Sequence, residues 1–234
     1  MCGIVGLQGS FEAGLVEEMG RCIAHRGPDA EGSVALEADG CTTWLGHRRL
    51  AIIDLSEAGR QPMTCECPRC GSGALADLAL VFNGEIYNFR ELRAELAARG
   101  HAFRSDSDSE VLLHLYAEHG TGMLSRLNGI FAFAIHDGRE RGRPEGIARG
   151  DLFVARDHLG VKPLYYAQVA RGFLFSSELK ALLRAPDVAR DLDLEAVHHT
   201  LAYLWTPAPQ TVLRGVRKLP PRTACVVRGG SMVR

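Results

Sequence analysis

Long hydrophobic runs are absent from this sequence, and none approaches the roughly 18 residues that a membrane-spanning helix needs. The amino terminus also lacks the basic stretch followed by an apolar stretch that marks a signal peptide. Charge of neither sign is in excess, since 27 lysines and arginines balance 28 acidic residues. We therefore expect neither a membrane nor nucleic acid as a partner.

A disulfide framework is also missing. The cysteines are odd in number and scattered along the chain: Cys2, Cys22, Cys41, Cys65, Cys67, Cys70 and Cys225. Small secreted domains instead carry an even set at regular spacings. The pattern predicts a protein of the reducing cytoplasm, where a reactive thiol would persist.

The apolar residues that are present fall into short runs and a few amphipathic segments. Strands are predicted over residues 2–7, 32–38, 41–45, 50–53, 78–82, 130–135, 152–155, 164–167 and 173–175, with two weak strands within 213–233. Helices are predicted over 11–23, 111–119, 177–183 and 192–204, and a further helix is predicted to be capped by Asn88. Because the helices are inserted in groups, we predict an α+β fold of antiparallel strands in at least two sheets.

The second residue, Cys2, is the first candidate for chemistry. Removal of Met1 would place its thiol and a free α-amine on one residue. A thiol is a weak nucleophile until a base takes its proton, and an α-amine titrates at about 7.7–8.0. Cys2 can therefore carry both a nucleophile and its base, although many chains have cysteine here for no chemical reason.

Two basic stretches invite different interpretations. His25 and Arg26 lie in a loop with glycine and proline, and we interpret them as a hydrogen-bonded structural corner. Arg48 and Arg49 precede the predicted strand at 50–53, where one guanidinium could grip a carboxylate through its planar fork. Ordinary solvated charge is the alternative.

Two polar stretches follow predicted secondary structure. Asn83 and Gly84 come at the end of the predicted strand at 78–82, where an amide side chain and a backbone N–H could form an oxyanion hole or only a turn. Asp108 lies within S-x-x-E, a capping box that starts at Ser107, and capping alone would explain it.

Six short motifs follow one another along the chain between residue 1 and about residue 185. They are M-C-G-I-V-G from Met1, H-R-G-P-D from His25, R-L-A-I-I-D from Arg49, F-N-G-E-I-Y-N from Phe82, S-D-S-E from Ser107 and R-D-H-L-G-V-K-P-L-Y from Arg156. Together they resemble the glutamine-hydrolysing domain of the class II amidotransferases, in the asparagine synthetase branch. The resemblance implies a four-layer αββα sandwich of the amino-terminal-nucleophile (Ntn) hydrolase type, with two antiparallel sheets flanked by helices.

The resemblance also implies roles for individual residues. Cys2 would attack the side-chain carbonyl of glutamine with its own amine as base, and Asn83 and Gly84 would stabilise the oxyanion. Arg49 would hold the α-carboxylate of the substrate, and Asp108 would meet its α-ammonium group. The implied binding set is Arg49, Leu50, Ile52, Ile53, Asn83, Gly84, Glu85 and Asp108. Glutamine would be hydrolysed through a thioester without a cofactor, and the ammonia would pass to a second active site.

The domain organisation follows from the same resemblance. Residues 1–190 are predicted to form the glutaminase domain, and 191–234 a linker and the beginning of a synthetase domain. That domain would bind ATP and magnesium, but its glycine-rich pyrophosphate loop is absent from the sequence. We expect a fragment of an enzyme that amidates aspartate, with the synthetase domain as partner and a homodimer left open. A glutaminase for another acceptor, a stand-alone module and a non-catalytic scaffold are the alternatives.

An excursion over residues 62–78 departs from the family pattern. It carries C-x-C-x-x-C-G at Cys65, Cys67 and Cys70. Thiolates at this spacing are candidate zinc ligands, but a structural site needs four ligands, so Cys41 or a histidine would have to complete it. We therefore favour a reduced surface loop over a metal site.

A second excursion, over residues 137–150, is rich in glycine and arginine. We expect a solvated and mobile segment that only lengthens a hairpin.

Overall fold

The computed structural model describes residues 1–71 and 77–233, which form two antiparallel sheets packed face to face with helices outside them. The strands are β1 Gly3–Gly9, β2 Ala30–Ala38, β3 Cys41–Arg49, β4 Met63–Thr64, β5 Leu78–Ile86, β6 Gly129–Asp137, β7 Asp151–Arg156, β8 Tyr165–Val169, β9 Gly172–Ser176, β10 Arg217–Lys218, β11 Ala224–Arg228 and β12 Ser231–Met232. The helices are α1 Leu15–Cys22, α2 Phe89–Ala98, α3 Asp108–His119, α4 Leu179–Leu182 and α5 Leu194–Tyr203. Among these helices, none has the length and apolar character to cross a membrane.

Each sheet has six strands. The first has the order β10-β8-β9-β1-β3-β2 and the second the order β12-β11-β7-β6-β5-β4. The β2–β3 hairpin turns through Asp39 and Gly40, whose φ angles of 50° and 76° suit the tight turn that matches strand twist.

The core is divided into three apolar layers. Between the sheets, Ile4 and Leu45 of the first sheet meet Val81 and Val154 of the second. Helices α1 and α4 cover the outer face of the first sheet, and α2 and α3 cover that of the second. The layers are therefore helix, sheet, sheet, helix, and the predicted αββα sandwich is confirmed.

The apolar run at 50–53 is not the buried strand that we predicted. Strand β3 ends at Arg49, and Ile52 is 71% exposed in the irregular segment that follows. The pairing of β3 with β1 starts at Gly3, and its pairing with β2 starts at Ala30. Neither β1 nor β2 therefore extends far enough to continue the ladder beyond Arg49.

Strand β5 does not end at Phe82, as the sequence suggested, but continues to Ile86. Strand β6 supplies a partner for every residue of β5, down to the pair of Ile86 with Gly129. The Asn83-Gly84 dipeptide is therefore part of the sheet rather than a turn.

Two helices begin differently from the prediction. The helix expected over 11–23 starts only at Leu15, after Gly14 with a φ of 98°. Asn88 precedes α2 but makes no side-chain cap. Its side chain instead binds the backbone of Arg126 and Asn128, because a neighbouring loop lies within reach.

The segment after residue 190 adds strands to both sheets. Strand β10 pairs with β8, and β11 pairs with β7 and β12. Cys225 and Val227 of β11 are buried in the layer between the sheets. Packing is thus continuous across residue 190, and the division of the chain at that point stays a prediction.

The excursion at 137–150 is not fully solvated, contrary to the prediction. Arg139 is 3% exposed and donates two hydrogen bonds to the carboxylate of Asp137, at 2.9 and 2.7 Å. The buried Asp137 charge needs a cation beside it, which draws the arginine inward.

Candidate active site

A cavity of about 210 Å³ lies where the beginning of β1, the end of β3, the end of β5 and the first turn of α3 meet. All residues predicted as catalytic or substrate-binding line it: Cys2, Arg49, Leu50, Ile52, Ile53, Asn83, Gly84, Glu85 and Asp108. The fold thus brings together residues from four separate segments of the chain. Their individual roles remain predictions.

Cys2 precedes β1 and places its thiol against the backbone of Leu50. The Leu50 N–H lies 3.4 Å from Sγ and the Leu50 carbonyl oxygen 3.5 Å from it. Burial raises the pKa of the Cys2 thiol above its ordinary value, although the Leu50 backbone, the amino terminus and Arg49 lower it. The thiol is therefore neutral at pH 7 and needs a base before it can attack.

The H-R-G-P-D motif forms the structural corner that we predicted, and it holds Cys2 in place. The Arg26 Nε donates to the Cys2 carbonyl at 2.9 Å, and its Nη1 pairs with Glu178 at 3.1 Å. His25 Nε2 lies 2.9 Å from the same carboxylate oxygen. Gly27 packs on β3, where an added Cβ would lie 2.3 Å from a backbone carbonyl carbon.

Gly84 presents its backbone to the cavity from the edge of β5. Residues Phe82, Gly84 and Ile86 point their N–H groups to the same side, because alternate residues of a strand do so. The Phe82 N–H donates to Gln61 Oε1 at 2.6 Å, and the Ile86 N–H donates to Asp108 Oδ2 at 3.0 Å. The Gly84 N–H lies between these two, beside the cavity.

Asn83 supplies a second donor. It is 1% exposed, and its Nδ2 has no hydrogen-bond partner among residues 1–71 and 77–233. Leaving a buried amide N–H unsatisfied costs about 1–3 kcal/mol. A ligand that supplies the missing acceptor offsets this cost, and an oxyanion would do so.

Arg49, the last residue of β3, is fixed on the cavity wall. It is 7% exposed, its Nη1 donates to the Ser56 carbonyl at 2.9 Å, and its Nη2 contacts the Asp54 carbonyl. Gly59 leaves room for the guanidinium, since a Cβ there would lie 2.5 Å from Nη2. These two bonds use two of the five N–H donors of the guanidinium.

Asp108 begins α3 and is 4% exposed. Ser107 caps the helix by accepting from the Ser109 N–H at 3.1 Å, so the helix starts earlier than the predicted residue 111. Burial raises the pKa of Asp108 to about 6 despite the backbone N–H bonds, and the charge of Glu85 adds to the rise. At pH 7 the carboxylate is ionised and suits an ammonium group.

The sequence did not single out three other lining residues: His47, Gln61 and Lys162. Lys162 lies in the motif that starts at Arg156, and this motif was the sequence signal that could have pointed to it. His47 bonds the Phe82 carbonyl through Nε2 at 3.1 Å, and burial lowers its pKa to about 3. An imidazole of such low pKa is a poor proton acceptor at pH 7.

The candidate zinc ligands Cys65, Cys67 and Cys70 lie elsewhere, on the outer side of the second sheet. Each is 3% exposed or less, whereas Glu66, Pro68 and Arg69 between them are exposed, so the segment lies at the surface with its three thiols turned inward. The thiols pack into the apolar layer beneath α2 and α3. Residues 72–76 of the same excursion lie outside the described residues.

The two-sheet sandwich flanked by helices has the layer order of the Ntn-hydrolase fold. A solved structure of the same fold is the glutamine phosphoribosylpyrophosphate amidotransferase from Bacillus subtilis complexed with ADP and GMP. It aligns with a TM-score of 0.70 and 21% identity over 99% of this chain and 48% of that chain. A family model described as a glutamine amidotransferase domain matches residues 1–233, and the chain belongs to that family.

Curated relatives give a finer comparison. Glutamine-hydrolyzing asparagine synthetase 3 of Bacillus subtilis strain 168 is 38% identical over 96% of this chain and 34% of the relative. Asparagine synthetase 1 of the same organism is 36% identical over 97% of this chain and 34% of the relative. A putative asparagine synthetase of Methanocaldococcus jannaschii is 36% identical over 95% of this chain and 43% of its own length. The chain spans about a third of the first two, and the family predicted from the motifs is confirmed.

Proposed function

We propose that this domain hydrolyses glutamine to glutamate and ammonia with Cys2 as the nucleophile. The observation that carries the proposal is the Asn83 amide, a buried donor that has no partner among the described residues and lines the same cavity as the thiol. A neutral thiol and an unpaired hydrogen-bond donor in one cavity suit acyl transfer, in which a carbonyl oxygen becomes negatively charged.

The chemistry uses groups of this chain only. Removal of Met1 frees the Cys2 α-amine, which takes the proton from the thiol as the sulfur attacks the side-chain carbonyl of glutamine. The oxyanion accepts hydrogen bonds from Asn83 Nδ2 and the Gly84 N–H. Collapse forms a Cys2 thioester and expels ammonia, which receives the proton from the amine. Water then releases glutamate, with the same amine as base.

Charge at the cavity wall suits the rest of the substrate. Arg49 and Lys162 line the cavity with positive charge, and Asp108 and Glu85 line it with negative charge. A free amino acid carries both an α-carboxylate and an α-ammonium group. The proposal assigns Arg49 to the carboxylate and Asp108 to the ammonium.

The test is glutamate release from glutamine by the chain, beside a Cys2→Ala variant. Intact mass must first show that Met1 has been removed, since a retained methionine blocks the amine. Activity that disappears in the variant supports the proposal. Equal glutamate release by both proteins would refute the assignment of Cys2.

We further propose that the ammonia amidates aspartate in an ATP- and magnesium-dependent synthetase domain. The support is the identity of 36–38% to asparagine synthetases that are about three times as long. A surface suited to a partner is also present, since apolar side chains of and after α5 are exposed: Leu194, Leu201, Tyr203, Leu204 and Trp205. The free thiols of the chain suit a reducing cytoplasm.

This second step can be tested with amide-labelled glutamine. The chain would be produced together with a synthetase domain, ATP, magnesium and aspartate, and the label would be followed by mass spectrometry. Label in asparagine supports aspartate as acceptor. Labelled ammonia without labelled asparagine would point to another acceptor and would leave the glutaminase proposal standing.

A further inference from the structure

Four ligand-type side chains from distant parts of the chain converge on one point outside the active site. We call Cys67, Cys70, His101 and His114 the Cys/His cluster; all four are buried, and their ligand atoms lie within 4.8 Å of one another. The two cysteines belong to the loop between β4 and β5. His101 follows α2, and His114 lies in the second turn of α3.

The separations within the cluster, from 2.9 Å to at most 4.8 Å, bracket those of tetrahedral coordination. Zinc bonds of about 2.3 Å to sulfur and 2.0–2.1 Å to nitrogen would separate the ligand atoms by roughly 3.3–3.8 Å. His101 Nδ1 lies 3.8 Å from Cys67 Sγ and 3.5 Å from Cys70 Sγ. His114 Nδ1 lies 3.0 Å from Cys70 Sγ and 2.9 Å from His101 Nδ1.

His101 is oriented as a metal-bound imidazole is, since its Nε2 lies 2.9 Å from Glu118 and a carboxylate there favours the tautomer whose Nδ1 carries a lone pair. His114 Nε2 lies 3.6 Å from Glu110, which is too far for a hydrogen bond. The two Nδ1 atoms lie 2.9 Å apart, and two lone pairs at that distance repel unless a proton or a metal cation lies between them.

The backbone also shapes the cysteine loop. Cys67-Pro-Arg-Cys70 forms a turn closed by the Cys70 N–H, which donates to the Cys67 carbonyl at 2.9 Å. The Ala102 N–H points at Cys67 Sγ from 3.5 Å, and a donor of this kind stabilises a thiolate. Arg139 binds the Cys70 carbonyl at 3.3 Å and ties the loop to β6.

From this geometry we infer that the Cys/His cluster is a structural zinc site with Cys67, Cys70, His101 and His114 as ligands. Two thiolates and two imidazoles in a closed, buried tetrahedral set are the donors that Zn²⁺ takes in structural sites. Cys65 is a neighbour rather than a ligand: its Sγ lies 4.0 Å from His114 Nδ1, but Cys65 is not in the set whose ligand atoms all lie within 4.8 Å of one another. The ion would fasten the β4–β5 loop to α2 and α3.

Metal content tests the inference directly. Protein purified without chelator from zinc-supplemented cells should contain about one zinc per chain. Cys70→Ser and His114→Gln should each lower this content to less than about a tenth. Matched controls are Cys41→Ser and His119→Gln, since neither side chain belongs to the cluster and His119 lies in α3 as well. Metal-free wild-type protein, or equal loss in the controls, would overturn the site.

Spectroscopy of the wild-type protein keeps the test valid if a variant does not fold. X-ray absorption at the zinc edge should show two sulfurs at about 2.3 Å and two nitrogens at about 2.0–2.1 Å. In the cobalt-substituted protein, Cys65→Ser should leave the thiolate charge-transfer band unchanged. Three sulfurs around the metal would overturn the proposed ligand set. A Cys67–Cys70 disulfide, detected by mass after alkylation, would overturn the metal site itself.

Discussion

The active-site cavity and the Cys/His cluster are both buried polar sites, but their polar atoms are arranged in opposite ways. In the cavity lining, the Asn83 amide nitrogen has no hydrogen-bond partner among the described residues. In the cluster, the ligand atoms face one another within 4.8 Å. A site for a transient substrate keeps its donors apart, whereas a site for a resident ion brings its donors together.

Both sites are built on the same two elements. Strand β5 carries Asn83 and Gly84 and follows the cysteine loop, and α3 carries Asp108 in its first turn and His114 in its second. The cavity lies at the end of the sandwich, and the cluster lies on the outer side of the second sheet. We therefore expect changes in one site to affect catalysis and changes in the other to affect stability.

The largest expected effect is that of Cys2→Ala on catalysis. Removal of the nucleophile should lower kcat for glutamine hydrolysis by more than about 10⁴-fold, because the variant lacks the sulfur that forms the thioester. The zinc content should stay the same. Cys22→Ala is the matched control, since Cys22 is a half-buried thiol outside the cavity. A comparable loss of kcat in Cys22→Ala would show that the loss in Cys2→Ala does not come from removal of the nucleophile.

A smaller effect is expected for Asn83→Ala. Loss of one oxyanion donor should lower kcat by about 10²–10³-fold with little change in KM, because the hydrogen bond strengthens only in the transition state. Asn88→Ala is the control, since the Asn88 amide binds the backbone of Arg126 and Asn128 instead. A rise in KM at constant kcat would assign Asn83 to ground-state binding.

The cavity residues named by the motifs could be predicted from the sequence, but the local structure around them could not. The motifs located Arg49 and the run at 50–53, yet apolar periodicity suggested a strand where neither β1 nor β2 reaches. The same holds for Asn83 and Gly84, which the sequence placed after the end of a strand. Their place within β5 depends on pairing with β6, a segment more than 40 residues later in the chain.

The Cys/His cluster shows a different limit of sequence reasoning. The C-x-x-C pair indicated a metal site, but its histidines follow 31 and 44 residues after Cys70 and carry no spacing signature. Only the packing of α2 and α3 against the loop brings His101 and His114 to the cysteines. The burial of the three thiols could not be inferred from the composition of the loop.

A pH dependence of KM is the next effect in size. Asp108 has a pKa of about 6, so it gains a proton as the pH falls below that value and no longer attracts the substrate ammonium. KM for glutamine should be constant above pH 7 and rise about tenfold per unit below pH 6. Asp108→Asn should have a high KM at every pH. A wild-type KM that is independent of pH between 5 and 7 would contradict this role.

The smallest expected effect on catalysis comes from metal removal. Chelation should lower Tm by roughly 10 °C, because the fastening of the β4–β5 loop to the outer helices is lost. Well below Tm, kcat/KM should change by less than about twofold, since Asp108 is held by the Ile86 N–H and Asn83 by the pairing of β5 with β6. Thermal melting and glutaminase assays on one dialysed sample, with zinc added back, measure the Tm and kcat/KM.

The control is Cys70→Ser, whose Tm should be lower than that of the wild type and should not change when chelator is added. If chelation lowered kcat as much as Asn83→Ala, the two sites would be coupled, and the separation between catalysis and stability would not hold.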